Sequence, residues 1–356
     1  MDTAIRERKG AIAILAGRND LRMGTLHRLH SEGFHVLADK PWLINDEQTG
    51  LLKKALSKPW PIAMDIMTSR HQIRNKIRKT LIQDRHVFGE LYVPTDGTPS
   101  FYLESIHCKS KTVNGKPLIR PTWHFDVKVQ GKGIVDIPSH LVDLAHWTLF
   151  PDQTINHERD IAIKQVKSWP TKVPLETFKR VTGYPFTEPL QEYVTENVLE
   201  HECNCSIKYT VKNIPIQVRT TWILESPVGG GDSHHSVVRG TLSDLITRRL
   251  PEHGYKQELM VKPRDMRNAE DIVKALRNAL NDNIQGATIS IQGDEFIINI
   301  PPEHATGHEE HFAEVFKQFI TYIESGKLPP EENPNTVSKY TLLAEAQKWN
   351  NRRNMK

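Results

Sequence analysis

Residues 11–17, Ala-Ile-Ala-Ile-Leu-Ala-Gly, form a short apolar run that stops at a glycine, and residues 34–38, Phe-His-Val-Leu-Ala, form a second such run. Apolar runs of this length predict parallel strands that are buried on both faces. Between them, Leu26 and Leu29 have the spacing of one helix face, and Gly33 ends that helix. The order strand, helix, strand indicates the start of a parallel α/β sheet.

One more unit of the same kind follows. Leu51, Leu52 and Leu56 mark a helix, and residues 62–67 form a third short apolar run. We therefore interpret residues 1–67 as the second half of a Rossmann-type nucleotide-binding domain. The sequence contains no Gly-x-Gly-x-x-Gly, the motif that binds phosphate in the first half of such a domain. We expect this domain to be N-terminally truncated.

From residue 68 onward, strand patterns outnumber helix patterns. We predict an α+β domain over residues 68–330, built on a mainly antiparallel open sheet, so that the fold class is α/β followed by α+β. A last helix, within residues 331–356, is expected to pack back on the first domain. The predicted strands are 87–93, 101–108, 123–129, 161–169, 205–211, 216–224, 236–246, 258–262, 287–291 and 295–300, and the predicted helices of this region are 68–83, 139–147, 271–281, 309–324 and 337–349.

The composition is that of an ordinary globular protein, with 38% hydrophobic residues, 25% charged residues and a formal net charge of +4. The densest basic run, residues 70–79, alternates with apolar residues at helical spacing and lacks an aromatic platform, which argues against nucleic-acid binding. Cys108, Cys203 and Cys205 are too few for a disulfide framework. No apolar run is long enough to span a membrane. We expect a reduced, soluble, cytoplasmic protein that binds neither nucleic acid nor membrane.

Lys40 lies where the second predicted strand ends, between Asp39 and Pro41. Because Pro41 cannot continue a β-ladder, the chain turns at the edge of the sheet where α/β folds bind their ligands. A lysine at this edge can donate a hydrogen bond to a substrate hydroxyl, and it can also move the proton if burial lowers its pKa. The alternative is a surface lysine after a strand.

Asp136 and His140 are four residues apart near the start of a predicted helix. If the helix has begun by Asp136, the two side chains share one face with Asp143; otherwise Asp136 lies in the preceding turn and points to the same region. An imidazole suits the removal of a hydroxyl proton, and a neighbouring carboxylate raises its pKa and fixes its orientation. The alternatives are a helix N-cap for Asp136 and a hydrogen-bonded core histidine for His140.

A metal site has less support. His308 and His311 have one residue too few between them for the His-Glu-x-x-His zinc helix. Asp232 and His234 could join them in a cluster, but a chain with 17 histidines produces such groupings by chance. We therefore predict no metal. We interpret residues 229–231, Gly-Gly-Gly, as a loop that turns Asp232 and His234 toward the substrate; a phosphate nest is the alternative.

These segments resemble the Gfo/Idh/MocA family of nicotinamide-dependent sugar and cyclitol oxidoreductases. The resemblance rests first on the lysine-proline strand end at Lys40 and Pro41 and on the Asp-x-x-x-His helix start at Asp136 and His140. It extends over roughly residues 11–349 and points to the branch with a distinctive large C-terminal domain. The other matching segments are 16–20, 65–70, 120–126, 133–147, 229–234, 307–312 and 339–340.

The resemblance implies reversible hydride transfer between NAD or NADP and a carbon of a sugar or cyclitol. In that reaction Lys40 and His140 would handle the hydroxyl proton, and Asp136 would orient His140. The residues expected along the cofactor are Asn19, Asp39, Lys40 and Pro41, and those expected to contact the substrate are Arg70, Arg120, Trp123, Asp143, Asp232 and His234. This sequence departs from the family pattern in having Asp39 before the lysine, where glutamate is usual, and residues 138–139, Pro-Ser, where glycine is common.

Two functions remain open at this point. Without the phosphate-binding half we expect weak or no NAD(P) binding and an impaired enzyme, because the pyrophosphate supplies much of the cofactor's affinity. The alternative is a non-catalytic, carbohydrate-binding or oligomeric protein derived from this family. Family members commonly pair through the C-terminal sheet, so we expect a homodimer or homotetramer. In the strand 216–224, Arg219 and Ile223 lie on the mixed outer face that would form this interface.

Overall fold

The computed structural model describes residues 2–7, 11–113, 115–227 and 230–354. Its helices are α1 (Asp2–Glu7), α2 (Arg22–Ser31), α3 (Thr49–Ala55), α4 (Ile73–Leu81), α5 (Val127–Gln130), α6 (Pro138–Leu149), α7 (His157–Asp160), α8 (Leu175–Thr182), α9 (Ala269–Asn283), α10 (His308–Ser325) and α11 (Glu332–Asn354). Its strands are β1 (Ile12–Leu15), β2 (His35–Ala38), β3 (Ala63–Asp65), β4 (Phe101–Ser110), β5 (Thr112–Val113), β6 (Lys116–Pro117), β7 (Ile161–Pro174), β8 (Val194–Thr195), β9 (Val198–Val211), β10 (Ile214–Glu225), β11 (Ser233–Arg239), β12 (Ser243–Arg249), β13 (Glu258–Pro263), β14 (Thr288–Gln292) and β15 (Glu295–Asn299).

A small parallel sheet with the order β1-β2-β3 confirms the predicted α/β unit. The central strand β2 is buried at every position. The expectation that the first strand is buried on both faces is wrong, because Ile12 and Ile14 are 38% and 58% exposed. Strand β1 pairs with β2 alone among the described strands, and its alternate residues Ala13 and Leu15 pack on the main core. Its other face is open.

A ten-stranded sheet forms the second part, with the order β14-β15-β13-β12-β11-β4-β10-β9-β7 and with β8 beside β9. Every pairing in it is antiparallel except that of β4 with β10. The predicted fold class, a small Rossmann-type parallel sheet followed by a mainly antiparallel open sheet, is therefore confirmed. In the parallel pair, His107 lies opposite Trp222, so both strands carry their last residues to the same end of the sheet.

Three strand predictions differ from the structure. Residues 87–93 make one isolated bridge, between Leu91 and Gly240, and no strand. Residues 122–130 form a 3-10 turn and then α5, because the Asp126 side chain accepts the backbone N–H of Lys128 and caps that helix. Residues 236–246 belong to two strands, β11 and β12. The turn between them needs a glycine, since a Cβ at Gly240 would lie 2.2 Å from the carbonyl oxygen of Phe88.

Helix α11 returns to the small sheet. It contacts α3, α6 and β7, and it stacks Tyr340 on Trp42 with ring centroids 5.7 Å apart. Both rings are fully buried, so this contact stabilises the junction between the small sheet and the rest of the chain. None of the described helices combines the length and the apolar character that a membrane span requires.

Candidate active site

Lys40 and Asp136 form an ion pair between the end of β2 and the turn before α6. Lys40 Nζ lies 2.5 Å from Asp136 Oδ1, and the two side chains are only 16% and 8% exposed. Burial tends to raise the pKa of Asp136, but the Lys40 ammonium outweighs it, and the pKa falls below its ordinary value. The Asp136 carboxylate therefore stays ionised, and part of the Lys40 side chain is open to a ligand.

The carboxyl edge of the small sheet is held by two polar side chains. The buried Arg22 guanidinium donates to the carbonyls of Gly17 and Asp39, at the ends of β1 and β2. Asn19 Nδ2 donates to the backbone and side-chain oxygens of Gln130 at 2.9 and 3.1 Å. Because the Gln130 side chain also hydrogen-bonds Asp136, these contacts fix the carboxylate that faces Lys40.

The predicted cofactor residues differ in accessibility. Asn19 is 3% exposed, and its side-chain amide donates a hydrogen bond to Gln130. The Asp39 side chain is 38% exposed, and one of its oxygens accepts the backbone N–H of Lys40. Pro41 follows through a cis peptide bond and is buried. Lys40 and Asp39 are thus the two of the four that present side chains to the edge of the sheet.

His140 lies in the first turn of α6. The helix begins at Pro138, so Asp136 belongs to the preceding turn and is not the N-cap. The Nδ1 atom of His140 is buried and finds no hydrogen-bond partner in the described part of the chain. Burial lowers the pKa of His140 to about 3, and the charge of Lys40 adds to this effect, while Asp136 opposes it more weakly. The expected rise of this pKa is therefore wrong, and the imidazole is neutral.

Arg70 and Asp143 lie in a buried ion cluster. Arg70 Nε and Nη2 contact the Asp143 carboxylate at 2.7 and 2.8 Å, and Arg70 Nη1 contacts Glu332. Lys339 Nζ lies 2.9 Å from both Asp143 and Asp65. We call this group the paired cluster; its members are Arg70, Asp143, Lys339, Asp65, Glu332 and Tyr340, whose hydroxyl donates to Asp65.

The paired cluster joins the ends of the small sheet to α6 and α11. Asp143 bonds two cations, so although burial tends to raise its pKa, Arg70 and Lys339 hold it well below the ordinary value.

A cleft of about 570 Å³ lies beside this cluster, between α4, α6, α10 and α11. Its lining includes Arg70 and Asp143 but neither Lys40 nor Asp136. Both predicted substrate residues are therefore engaged with protein partners and face a different recess from Lys40.

Asp232 and His234 lie beside the end of β4 in the large sheet. Asp232 accepts hydrogen bonds from Lys111 Nζ at 2.5 Å, from His107 Nδ1 at 3.0 Å and from the backbone of Cys108. The far nitrogen of His107 contacts Ser105 Oγ at 2.7 Å, and the same hydroxyl contacts His234 Nδ1 at 3.0 Å. Gly229, in the loop predicted before Asp232, lies outside the described residues.

Arg120 lies over the same end of the sheet. Its guanidinium donates to the backbone carbonyls of Cys108 and Lys109, both at 2.9 Å, and its Cζ is 5.2 Å from the ring centre of Trp222. Trp123, in the adjacent 3-10 turn, is half-buried. The charge of Asp136 acts on Arg120, so this end of the large sheet lies within electrostatic range of the Lys40–Asp136 pair.

Sequence reasoning missed several polar residues of this region: Gln130, His107, Lys109, His124 and His201. One signal for two of them is in β4. Phe101 and Leu103 share a strand face with Ser105, His107 and Lys109, so an apolar face becomes polar toward one end of the strand. A buried polar stripe at a strand end is typical of a ligand-binding site.

Comparison with known proteins agrees with this architecture. Residues 77–351 match the family model described as "Putative oxidoreductase C terminal domain". A crystal structure described as a "putative oxidoreductase" from Parabacteroides merdae ATCC 43184 is 34% identical, with a TM-score of 0.94, and the match covers 99% of this chain and 82% of that one. No curated protein matches the chain.

More distant structures share the fold. A levoglucosan dehydrogenase in complex with NADH is 13% identical with a TM-score of 0.63, over 99% of this chain and 80% of that chain. KijD10, a 3-ketoreductase from Actinomadura kijaniata in complex with NADP, is 12% identical with a TM-score of 0.55, over 97% of this chain and 80% of that chain. The chain therefore belongs to the Gfo/Idh/MocA family of oxidoreductases, in the branch that carries this C-terminal domain.

Proposed function

We propose that the protein transfers a hydride between NAD or NADP and a carbon of a sugar or cyclitol. The observation that carries the proposal is the ion pair of Lys40 and Asp136 at the carboxyl end of β2, with the unpartnered Nδ1 of His140 one helical turn away in sequence. Ligands of α/β folds bind at this edge of the sheet. The related structures hold NADH or NADP, which supports the same cofactor class here.

Lys40 donates a hydrogen bond to the substrate oxygen and stabilises the negative charge that develops on it as the hydroxyl proton leaves, which allows the hydride to depart from the same carbon. Asp136 holds the Lys40 ammonium in place, and Gln130 holds Asp136. His140, being neutral, accepts the hydroxyl proton or a hydrogen bond at Nδ1. In this arrangement Asp136 positions Lys40 and not His140, which revises the role expected from the resemblance.

The polar side chains at this edge of the small sheet fit the nicotinamide end of the cofactor. Lys40 and Asp39 present polar atoms at the sheet edge, and the buried Nδ1 of His140 lacks a partner in the described chain. When bound, the nicotinamide supplies the hydride acceptor. The 356-residue sequence has no Gly-x-Gly-x-x-Gly, so we propose that this polypeptide binds NAD(P) weakly and turns over slowly. Titration calorimetry with NAD⁺ and NADP⁺ tests this, and micromolar affinity for either would contradict it.

Reduction of NAD⁺ or NADP⁺, followed by absorbance with a panel of aldoses, anhydrosugars and inositols at saturating cofactor, tests the reaction. For any substrate found, Lys40→Met is expected to lower kcat/KM about 100-fold or more, the usual contribution of a positioned proton donor. Lys53→Met is the matched control, because Lys53 is half-exposed on α3 and, among the described residues, its ion-pair partner is the exposed Glu158. If no member of the panel reduces either cofactor while sugars still bind, the carbohydrate-binding alternative is correct.

We also propose that copies of the chain pair through the outer face of the large sheet. On β10 this face includes Ile223, which is 38% exposed, and Arg219, which pairs with Glu104 at 3.2 Å and lies over Trp169. A mixed face with an exposed aliphatic side chain suits a subunit interface. Light scattering of the wild type, Arg219→Glu and Ile223→Glu tests it: a monomeric wild type, or an oligomer that neither change dissociates, would refute this interface.

A further inference from the structure

Lys109 is a buried cation that hydrogen-bonds the Cys203 thiol but contacts no carboxylate of the described chain. Its side chain is fully buried at the end of β4, and its Nζ donates to His201 Nδ1 at 2.8 Å and lies 4.0 Å from the ring centre of Trp222. Across the described chain, Lys109 makes no ion pair with a carboxylate. An ammonium group in such surroundings is costly unless an anion compensates it.

Arg120, which is half-buried, is a second cation without a carboxylate partner in the described chain. It donates to two backbone carbonyls and lies over the face of Trp222, and it too makes no ion pair with any described carboxylate. The nearby carboxylates already form ion pairs with other cations, because Asp136 pairs with Lys40 and Asp232 pairs with Lys111. Lys109 and Arg120 each lower the pKa of the histidines beside them, and Arg120 also acts on Lys109. The positive charges of Lys109 and Arg120 therefore lie in one region that is partly shielded from water.

Two unpartnered polar atoms border these cations. The indole Nε1–H of Trp222, a residue that is 6% exposed, and the Nε2 of His124 are buried and find no hydrogen-bond partner among the described residues. A buried N–H without an acceptor costs about 1–3 kcal/mol. Burial holds the pKa of His124 and of His201 well below the ordinary value, so both rings are neutral and do not add charge. The region thus has surplus positive charge and a free donor, and it lacks an anion.

We propose that Lys109, Arg120 and Trp222 form a subsite for an anionic substituent of the substrate, a carboxylate or a phosphate ester on a sugar. The charge of Asp136 acts on both Lys109 and Arg120, and the charge of Lys40 acts on His124. The subsite therefore adjoins the Lys40–Asp136 pair and deepens the function proposed above, on which it rests. A guanidinium and an ammonium together are the side chains that bind carboxylate and phosphate groups most strongly.

Titration calorimetry without NAD(P) tests the subsite separately from the reaction. The ligands are D-glucuronate and D-glucose 6-phosphate, with D-glucose as the neutral reference. At least one anionic sugar is expected to bind tenfold or more tightly than D-glucose, with an affinity that falls as salt rises. Lys109→Met and Arg120→Gln are expected to abolish this preference, whereas Arg267→Gln, at an exposed arginine paired with Asp265, retains it. The tighter of the two anionic sugars identifies carboxylate or phosphate as the group.

A second measurement does not depend on the choice of sugar. Sodium acetate and sodium phosphate, compared with sodium chloride at equal ionic strength, are expected to raise the melting temperature of the wild type and of Arg267→Gln but not of Lys109→Met. If neither anion stabilises the wild type selectively and D-glucose binds as well as the charged sugars, the subsite is refuted. If cofactor reduction still depends on Lys40 in that case, only the subsite fails and the proposed reaction stands.

Discussion

The paired cluster and the cations beside Trp222 use the same kinds of residue for opposite purposes. In the paired cluster, Arg70 and Lys339 each contact carboxylates at 2.7 to 2.9 Å, so that every charged group has an oppositely charged partner inside the protein. Beside Trp222, the buried Lys109 and the half-buried Arg120 contact no carboxylate of the described chain. Balanced buried charge fixes a structure, whereas unbalanced buried charge costs stability and is typical of a functional site.

The largest effect is expected from breaking the paired cluster. Lys339→Met leaves Asp65 and Asp143 buried with one cation fewer, and removal of one partner of a buried pair costs about 3–5 kcal/mol. Urea denaturation measures the free energy of unfolding. The control is Lys348→Met on the same helix, where the half-exposed lysine pairs with Asp46 and its loss should change stability by no more than about 0.5 kcal/mol. Equal losses in the two variants would show that the cluster is not balanced as described.

The matching change beside Trp222 is expected to have the opposite sign. Burial lowers the pKa of Lys109 to about 8 from an ordinary value of 10.5, so the charged form destabilises the folded state. This loss of stability is complete below pH 8. It disappears as pH rises toward 10.5, because over that range the folded protein has released the Lys109 proton that the unfolded chain still holds. Lys109→Met should therefore stabilise the ligand-free protein by up to about 3 kcal/mol at pH 7.

The pH dependence of that gain separates a charge effect from a packing effect. Urea denaturation at pH 7 and at pH 10 should show the advantage of Lys109→Met shrinking at the higher pH. A destabilised variant at pH 7, or a gain that is the same at both values, would mean that Lys109 serves as an ordinary structural residue.

The smallest effect concerns His140, on which the charges of Lys40 and of the paired cluster act. Because burial lowers its pKa to about 3, the histidine stays neutral from pH 5 to pH 8, and kcat/KM should show no inflection near pH 6.5 that belongs to it. His140→Gln should lower kcat/KM by about tenfold and leave the shape of the profile unchanged. An acidic limb near pH 6.5 that disappears in His140→Gln would contradict this assignment.

Local patterns predicted most of the fold but not every element. The apolar run at residues 34–38 and the strand end at Lys40 are local signals, and the structure places Lys40 at the carboxyl end of β2. Residues 123–129 alternate like a strand, but the Asp126 cap and the neighbouring 3-10 turn decide their conformation. Capping is a local feature as well, so a search for Asp before a short helix could have corrected this prediction.

The candidate site was harder to predict because its parts are distant in sequence. His107 meets Trp222 only through the parallel pairing of β4 with β10, and Asp232 joins them from the loop before β11. No periodicity within one segment indicates such a register. Arg70 and Asp143 could be singled out as polar residues, but only the structure shows that Lys339, from the last helix, completes their cluster. Whether a buried charge is balanced is a property of the assembled fold.

The position of Lys339 also has a consequence for synthesis of the chain. Asp65 and Asp143 emerge from the ribosome long before α11 supplies their shared counter-ion. Until then, burying the two carboxylates is unfavourable, so the small sheet and α6 should stay loosely associated and open to chaperones. A chain that lacks residue 339 is therefore expected to leave this junction open, because Asp65 and Asp143 would have to be buried without the ammonium that they share.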